Sequence, residues 1–199
     1  MAGGIVGAVV IVTVGAVVLR PWQRGEKPPN VRTDNTSERV ANVLAQSNLP
    51  AALSYVRPAF RDGTADGGHT LLTLWALNRM RWTDVAVPQS ETTYPMFKKD
   101  PDAERGKRLC EDIRVLDIRA EVFAPGRKAF QGLAISRGPD PVVPYQFTAV
   151  GSTGEIVAHT NATFCGVATG LFSYQSADGT RREGLQVLGM FDLPENRTP

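Results

Sequence analysis

Apolar positions change their spacing twice along the chain. From Met1 to Leu19 they run almost unbroken, from Ser37 to Met80 they recur at helical intervals, and from Lys107 onward they alternate. These regimes predict a spanning or buried helix, a short helical region and a run of strands. In the last regime Ile113 and Val115 share one phase, while Leu116, Ile118, Ala120 and Val122 share the other. Such a switch inside one strand predicts a bulge or sharp bend near Val115, because a one-residue slip moves side chains to the opposite face. The turn Ala124-Pro125-Gly126-Arg127 follows, then a second strand over 129–136, a loop through Gly138-Pro139-Asp140-Pro141 and a third strand over 144–150. Gly151-Ser152-Thr153-Gly154 ends the third strand, and Glu155 to His159 is expected to form one short helical turn. A fourth strand over 161–174 carries Gly166 and Gly170, where glycine marks a bend or close backbone approach. A fifth covers 184–191.

Three strands, a short helical connection and two more strands is the element order of an OB-fold barrel. The runs Gly106-Lys107-Arg108-Leu109-Cys110, Phe130-Gln131-Gly132, Ala149 to Gly154, Ala162 to Val167 and Gly189 to Asn196 carry a resemblance across this half of the chain. It resembles uncharacterised bacterial membrane-anchored proteins with a tRNA-anticodon-like OB module. The resemblance implies a fold and a cell-envelope setting, and transfers no activity or functional residue; one fold hosts many functions.

Earlier in the chain, Met1–Leu19 has no charged side chain and would span about 28 Å as a helix at ~1.5 Å per residue, close to a bilayer core. Arg20, Trp22 and Arg24 stand where interfacial anchors belong. The expectation is a single-pass transmembrane helix over 1–19, without the basic leader of a signal peptide. Residues 20–35 form a linker stiffened by Pro28-Pro29, residues 36–104 a helical collar and residues 105–197 the barrel. In the collar, Ser37 is the expected cap of a first helix, Pro50 opens a second that Pro58 ends, and 70–80 forms a third with Leu71, Leu74, Trp75 and Leu77 in the core. Residues 85–93 read as an extended connector, and the mixed charges of 94–108 as a solvated face. The fold class is α+β.

Charge is nearly balanced at +2 over 199 residues, which does not demand a nucleic-acid-binding face. Arg20, Arg24, Lys27 and Arg32 follow the apolar segment, and by the positive-inside rule they place the body in the cytoplasm. The resemblance and the paired cysteines favour the extracytoplasmic side, which is the expectation adopted. The two cysteines, Cys110 and Cys165, are a candidate disulfide or a pair of buried thiols; both fall near the starts of antiparallel strands, so a direct pair requires an offset. With no Cys-x-x-Cys and only His69 and His159, no metal site is expected, and no cofactor. Gly151-Ser152-Thr153-Gly154 departs from the Gly-x-Ser-x-Gly nucleophile elbow, no phosphate loop occurs, and no catalytic residue is assigned.

Binding is therefore the expected class of function. OB barrels present a face around their second and third strands. Phe130, Tyr145 and Phe147 are the candidate aromatics of that face, with Lys128 and Arg137 as its cations. The first reading is a non-enzymatic binding or scaffolding module of the cell envelope, anchored through residues 1–19, with a protein or envelope component as partner. The alternatives are an anchored single-stranded nucleic-acid binder and an enzyme of unknown type.

Overall fold

A computed structural model of the chain describes residues 36–62, 67–138, 142–175 and 179–198. The expected transmembrane helix and linker lie outside the described residues. Among those described, no helix is long and apolar enough to cross a membrane.

Five strands, β1 (Arg108–Ala124), β2 (Arg127–Ser136), β3 (Pro144–Ala149), β4 (Asn161–Gln175) and β5 (Arg181–Phe191), close a barrel in the order β1-β2-β3-β5-β4. Neighbouring strands are antiparallel except β3 and β5, which run parallel. This is the OB-fold strand order. The phase switch in β1 is a bulge: Val115 pairs with Ala134 and Asp117 with Leu133, leaving Leu116 as the extra residue. It bends β1 so that its first half, Arg108–Arg114, pairs with β4 while its second half continues with β2 alone.

Alternation fills the barrel. Leu109, Ile113, Val115, Phe147, Phe164, Leu185, Val187 and Phe191 are buried in one cluster. At its centre the rings of Phe147, Phe164 and Phe191 lie 5.0–5.5 Å apart in tilted or edge-on geometry, the arrangement that ring quadrupoles favour. Gly189 pairs with Gly166, and a side chain on Gly189 would meet the Cys165 carbonyl oxygen at 2.0 Å. Here the motif glycines let β4 and β5 approach, and Asn196 has a matching role. Its amide donates to the carbonyls of Ser152 (2.8 Å) and Phe191 (2.9 Å) and accepts from the Ser152 N–H (2.8 Å). The short helix α7 (Pro194–Arg197) that carries Asn196 thereby seals the end of the barrel. Gly166, Gly189 and Asn196 thus serve the closure of the barrel.

Among the described residues, six α-helices precede the barrel: α1 (Thr36–Leu44), α2 (Leu49–Val56), α3 (Gly67–Arg79), α4 (Trp82–Val85), α5 (Tyr94–Lys99) and α6 (Pro101–Glu104). Asn48 caps α2 by accepting from the Ala51 N–H at 3.0 Å, with Pro50 in the first turn. Pro58 sits in a 3-10 turn (Arg57–Ala59) that continues α2. Within 94–108, the segment read as a solvated face, Thr93 and Asp100 cap α5 and α6, each followed by a proline-bearing first turn. Between Gly151 and Thr160 the expected helical turn does not form. Gly154 and His159 take left-handed backbone angles (φ 50° and 71°), which break a helix into separate turns.

The helices are not a separate collar. Val43, Val56, Leu72, Trp75 and Val85 share one buried cluster with Ala129, Val150, Cys165, Val167, Leu188 and Met190 on the outer side of the barrel. Trp75 is fully enclosed, and its indole N–H donates to the Gln46 carbonyl at 3.0 Å.

Candidate binding face

The outer side of β2, β3, β5 and β4 divides into three cross-strand rows. Register places Gln131, Thr148, Leu188 and Val167 in the first, Leu133, Gln146, Gln186 and Gly170 in the second, and Ile135, Pro144 and the Gly184–Phe172 pair in the third. Helix α3 covers the first row. Its buried His69 lies between two strands, with Nδ1 3.0 Å from Thr169 Oγ1 and Nε2 2.9 Å from Thr148 Oγ1. In the second row the Gln186 amide donates to Gln146 Oε1 at 2.7 Å. Together with His69 and Gln131 these groups enclose a space of about 40 Å³, roughly one water in size.

Where the second and third rows meet, no helix residue lines the surface among the described residues. Leu116, Leu133, Ile135, Pro144, Phe172 and Tyr174 converge on a shallow apolar depression. Leu116 and Leu133 are 41% and 40% exposed. Phe172 lies flat over Gly184, where a Cβ would come within 2.5 Å of its ring, and stacks on Tyr174 at 5.7 Å between centroids. Pro144 and Tyr174 also line an adjoining hollow of about 430 Å³ with Tyr94, Lys98, Arg181, Arg182 and Glu183. Within it Lys98 pairs with Glu183 at 3.3 Å, and Arg181 donates to Ser173 Oγ at 3.2 Å.

The five residues expected on this face are placed differently. Tyr145 and Phe147 point into the barrel, 4% and 0% exposed, and Phe130 is half-buried against the same inner cluster. Gly132 confirms the phase: a Cβ there would meet the Phe147 ring at 2.5 Å, so the even-numbered positions of β2 face inward. Burial raises the Tyr145 phenol well above its usual range, with Glu111 adding to the shift. Lys128 and Arg137 are exposed. They stand at opposite ends of β2, about 30 Å apart along an extended strand, and do not converge on one site. Leu133, Ile135, Pro144, Phe172 and Tyr174 were missed; their signal is the opposite phase of the same alternation, visible as Leu133-x-Ile135 and Phe172-x-Tyr174.

Two other features bear on chemistry. A cleft of about 620 Å³ lies among Leu53, Arg57, Arg61, Asp102 and Arg105. Its cations serve the fold: Arg105 is buried, donating to the Thr169 carbonyl and pairing with Asp62 at 2.7 Å, while Arg57 donates to the Asp102 carbonyl. Cys110 and Cys165 form a disulfide, with Cys165 buried, so neither carries a free thiol. Ser152 Oγ accepts from the Gly154 N–H at 3.1 Å, as in a turn, and His159 is exposed. Among the described residues no group of three or more His, Cys, Asp and Glu could hold a metal ion.

No family model and no curated protein matches the chain. Among solved structures the chain is similar to the mitochondrial single-stranded DNA binding protein Rim1 of S. cerevisiae, at 11% identity and a TM-score of 0.32, over 46% of this chain and 97% of that one. The barrel assignment rests on strand order and register, and that likeness adds nothing to it.

Proposed function

We propose that the protein is a non-enzymatic binding module of the cell envelope, held to the membrane by residues 1–19, whose apolar depression between the second and third rows takes a segment of a protein partner. The observation that carries this reading is the apolar depression where the second and third rows meet: α3 covers the first row, while Leu116 and Leu133 stay two-fifths exposed beside Pro144, Phe172 and Tyr174. Exposed apolar surface grouped in a depression and rimmed by polar side chains is the usual signature of an interaction site. The Cys110–Cys165 disulfide supports an oxidising compartment, where nucleic acid is a rare partner.

A second reading has its own observation. Tyr94, Tyr174, Lys98, Arg181 and Arg182 share one hollow, and aromatic rings beside cations suit single-stranded nucleic acid. The test is a photo-crosslinking residue placed at Leu133, at Tyr174 and, as a control, at Arg137 in cells. A discrete protein adduct from Leu133 and Tyr174 but not from Arg137 supports the first reading. Adducts of nucleic acid, together with salt-sensitive binding of a labelled oligonucleotide by the purified protein, would replace it with the second.

A further inference from the structure

Among the described residues, the edge of β1 that meets β4 over Arg108–Arg114 has no backbone partner past the bulge. Val115 is the last residue with backbone bonds on that side, to Thr160 and His159. From Leu116 to Ala124 the strand pairs with β2 on one side only, and among the described residues no backbone group bonds its other edge. Most of this stretch is exposed, Val122 by 66%. An extended edge of this kind is a template for another strand.

The side chains along it specify which strand. Ile118, Ala120 and Val122 share one face, Arg119 and Glu121 the other. When the segment is laid antiparallel on its own copy about a two-fold axis through Ala120, Arg119 falls opposite Glu121 twice, and Ile118 opposite Val122 twice. A two-fold axis normal to the sheet keeps each set on its own face. Moving the axis by one residue, to Arg119, instead sets Asp117 against Glu121 and Arg119 against itself, so like charges oppose this register. Opposite charges and apolar pairs directly across a ladder stabilise it, and like charges destabilise it.

We propose that this edge pairs with that of a second copy of the chain, giving an isologous dimer with a continuous sheet across Ala120. The interface shares only Leu116 with the apolar depression of the proposed binding face and does not depend on that reading.

The test uses the full chain in detergent. Cys introduced by Ala120→Cys lies on the two-fold axis, about 5 Å from its copy between Cβ atoms, and oxidation should yield a covalent dimer. Cys introduced by Val122→Cys lies four residues from its copy along the strand, about 13 Å, and should not. By sedimentation, Arg119→Glu should weaken the dimer about tenfold, by placing two pairs of acids in contact, and Arg119→Glu with Glu121→Arg should restore it. Three results would overturn the proposal: equal cross-linking at both positions, a dimer indifferent to the charge exchange, or a monomer at all concentrations. A monomer in which the amides of 116–124 that point away from β2 also resist exchange would show that another segment of the same chain occupies the edge.

Discussion

Cys110 lies directly opposite Cys165 across β1 and β4, with Cα atoms 4.1 Å apart and a disulfide joining them. The offset that makes this pairing workable is large. Only the first halves of the two strands overlap, Arg108 meeting Val167 and Arg114 meeting Asn161, so cysteines near both strand starts come level. The rest of β4 runs beyond β1 and pairs with β5. Bridging residues 55 apart in sequence should stabilise the fold by about 4 kcal/mol, through the conformations it removes from the unfolded chain. Urea unfolding of the oxidised protein and of a variant with both cysteines replaced by alanine checks this; equal midpoints would mean that the bond contributes nothing.

Leu133→Arg and Phe147→Ala should separate binding from folding. Leu133 is two-fifths exposed, so Leu133→Arg should change stability by no more than about 0.5 kcal/mol while abolishing partner cross-linking at the apolar depression. Phe147 is enclosed among Phe164 and Phe191, and Phe147→Ala should cost about 3–5 kcal/mol. Thermal melts of both variants, run beside the cross-linking assay, decide the point.

Asn196→Ala should open the end of the barrel. It removes bonds to both backbone groups of Ser152 and to the Phe191 carbonyl, leaving inner polar groups without partners. The expected loss is about 2–4 kcal/mol, and hydrogen exchange at Ser152 should accelerate before that of the β1–β2 ladder.

Glu111 should make the protein less stable at neutral pH than it would be with a neutral side chain there. Burial, and then the neighbouring Asp112, hold its carboxyl above the usual range. Because the folded value is raised, the favourable contribution is complete below the unfolded value, near pH 4.5, and is lost as pH rises through the folded one. Glu111→Gln should therefore raise the melting temperature at pH 7 and leave it unchanged near pH 4. A uniform shift at both pH values would point to packing instead.

Gly189→Ala should prevent β4 and β5 from closing. The added methyl would sit 2.0 Å from the Cys165 carbonyl oxygen, a backbone atom on the neighbouring strand that cannot rotate away. A cost of about 3 kcal/mol or more is expected, measured by denaturant unfolding of the oxidised protein.

By itself the sequence determined the elements and the class of fold. Alternation over 107–191, punctuated by Pro125-Gly126, Gly151 and Gly179, marks five strands in barrel order, and the phase switch at Val115–Leu116 locates the bulge that bends β1. Those signals are local, set by side-chain period and turn dihedrals, and so can be read along the chain. Tertiary structure decided which phase faces inward. Phe130, Tyr145 and Phe147 looked like a ligand face because aromatics serve both cores and sites. In the closed barrel they meet Phe164 and Phe191 from strands far away in sequence, and Leu133, Pro144 and Phe172 are left outside. The strand offset that joins Cys110 to Cys165, and the packing of α3 through His69 onto two strands, depend on the same long-range closure. A period of two tells that a strand has two faces; only the strands around it tell which one is covered.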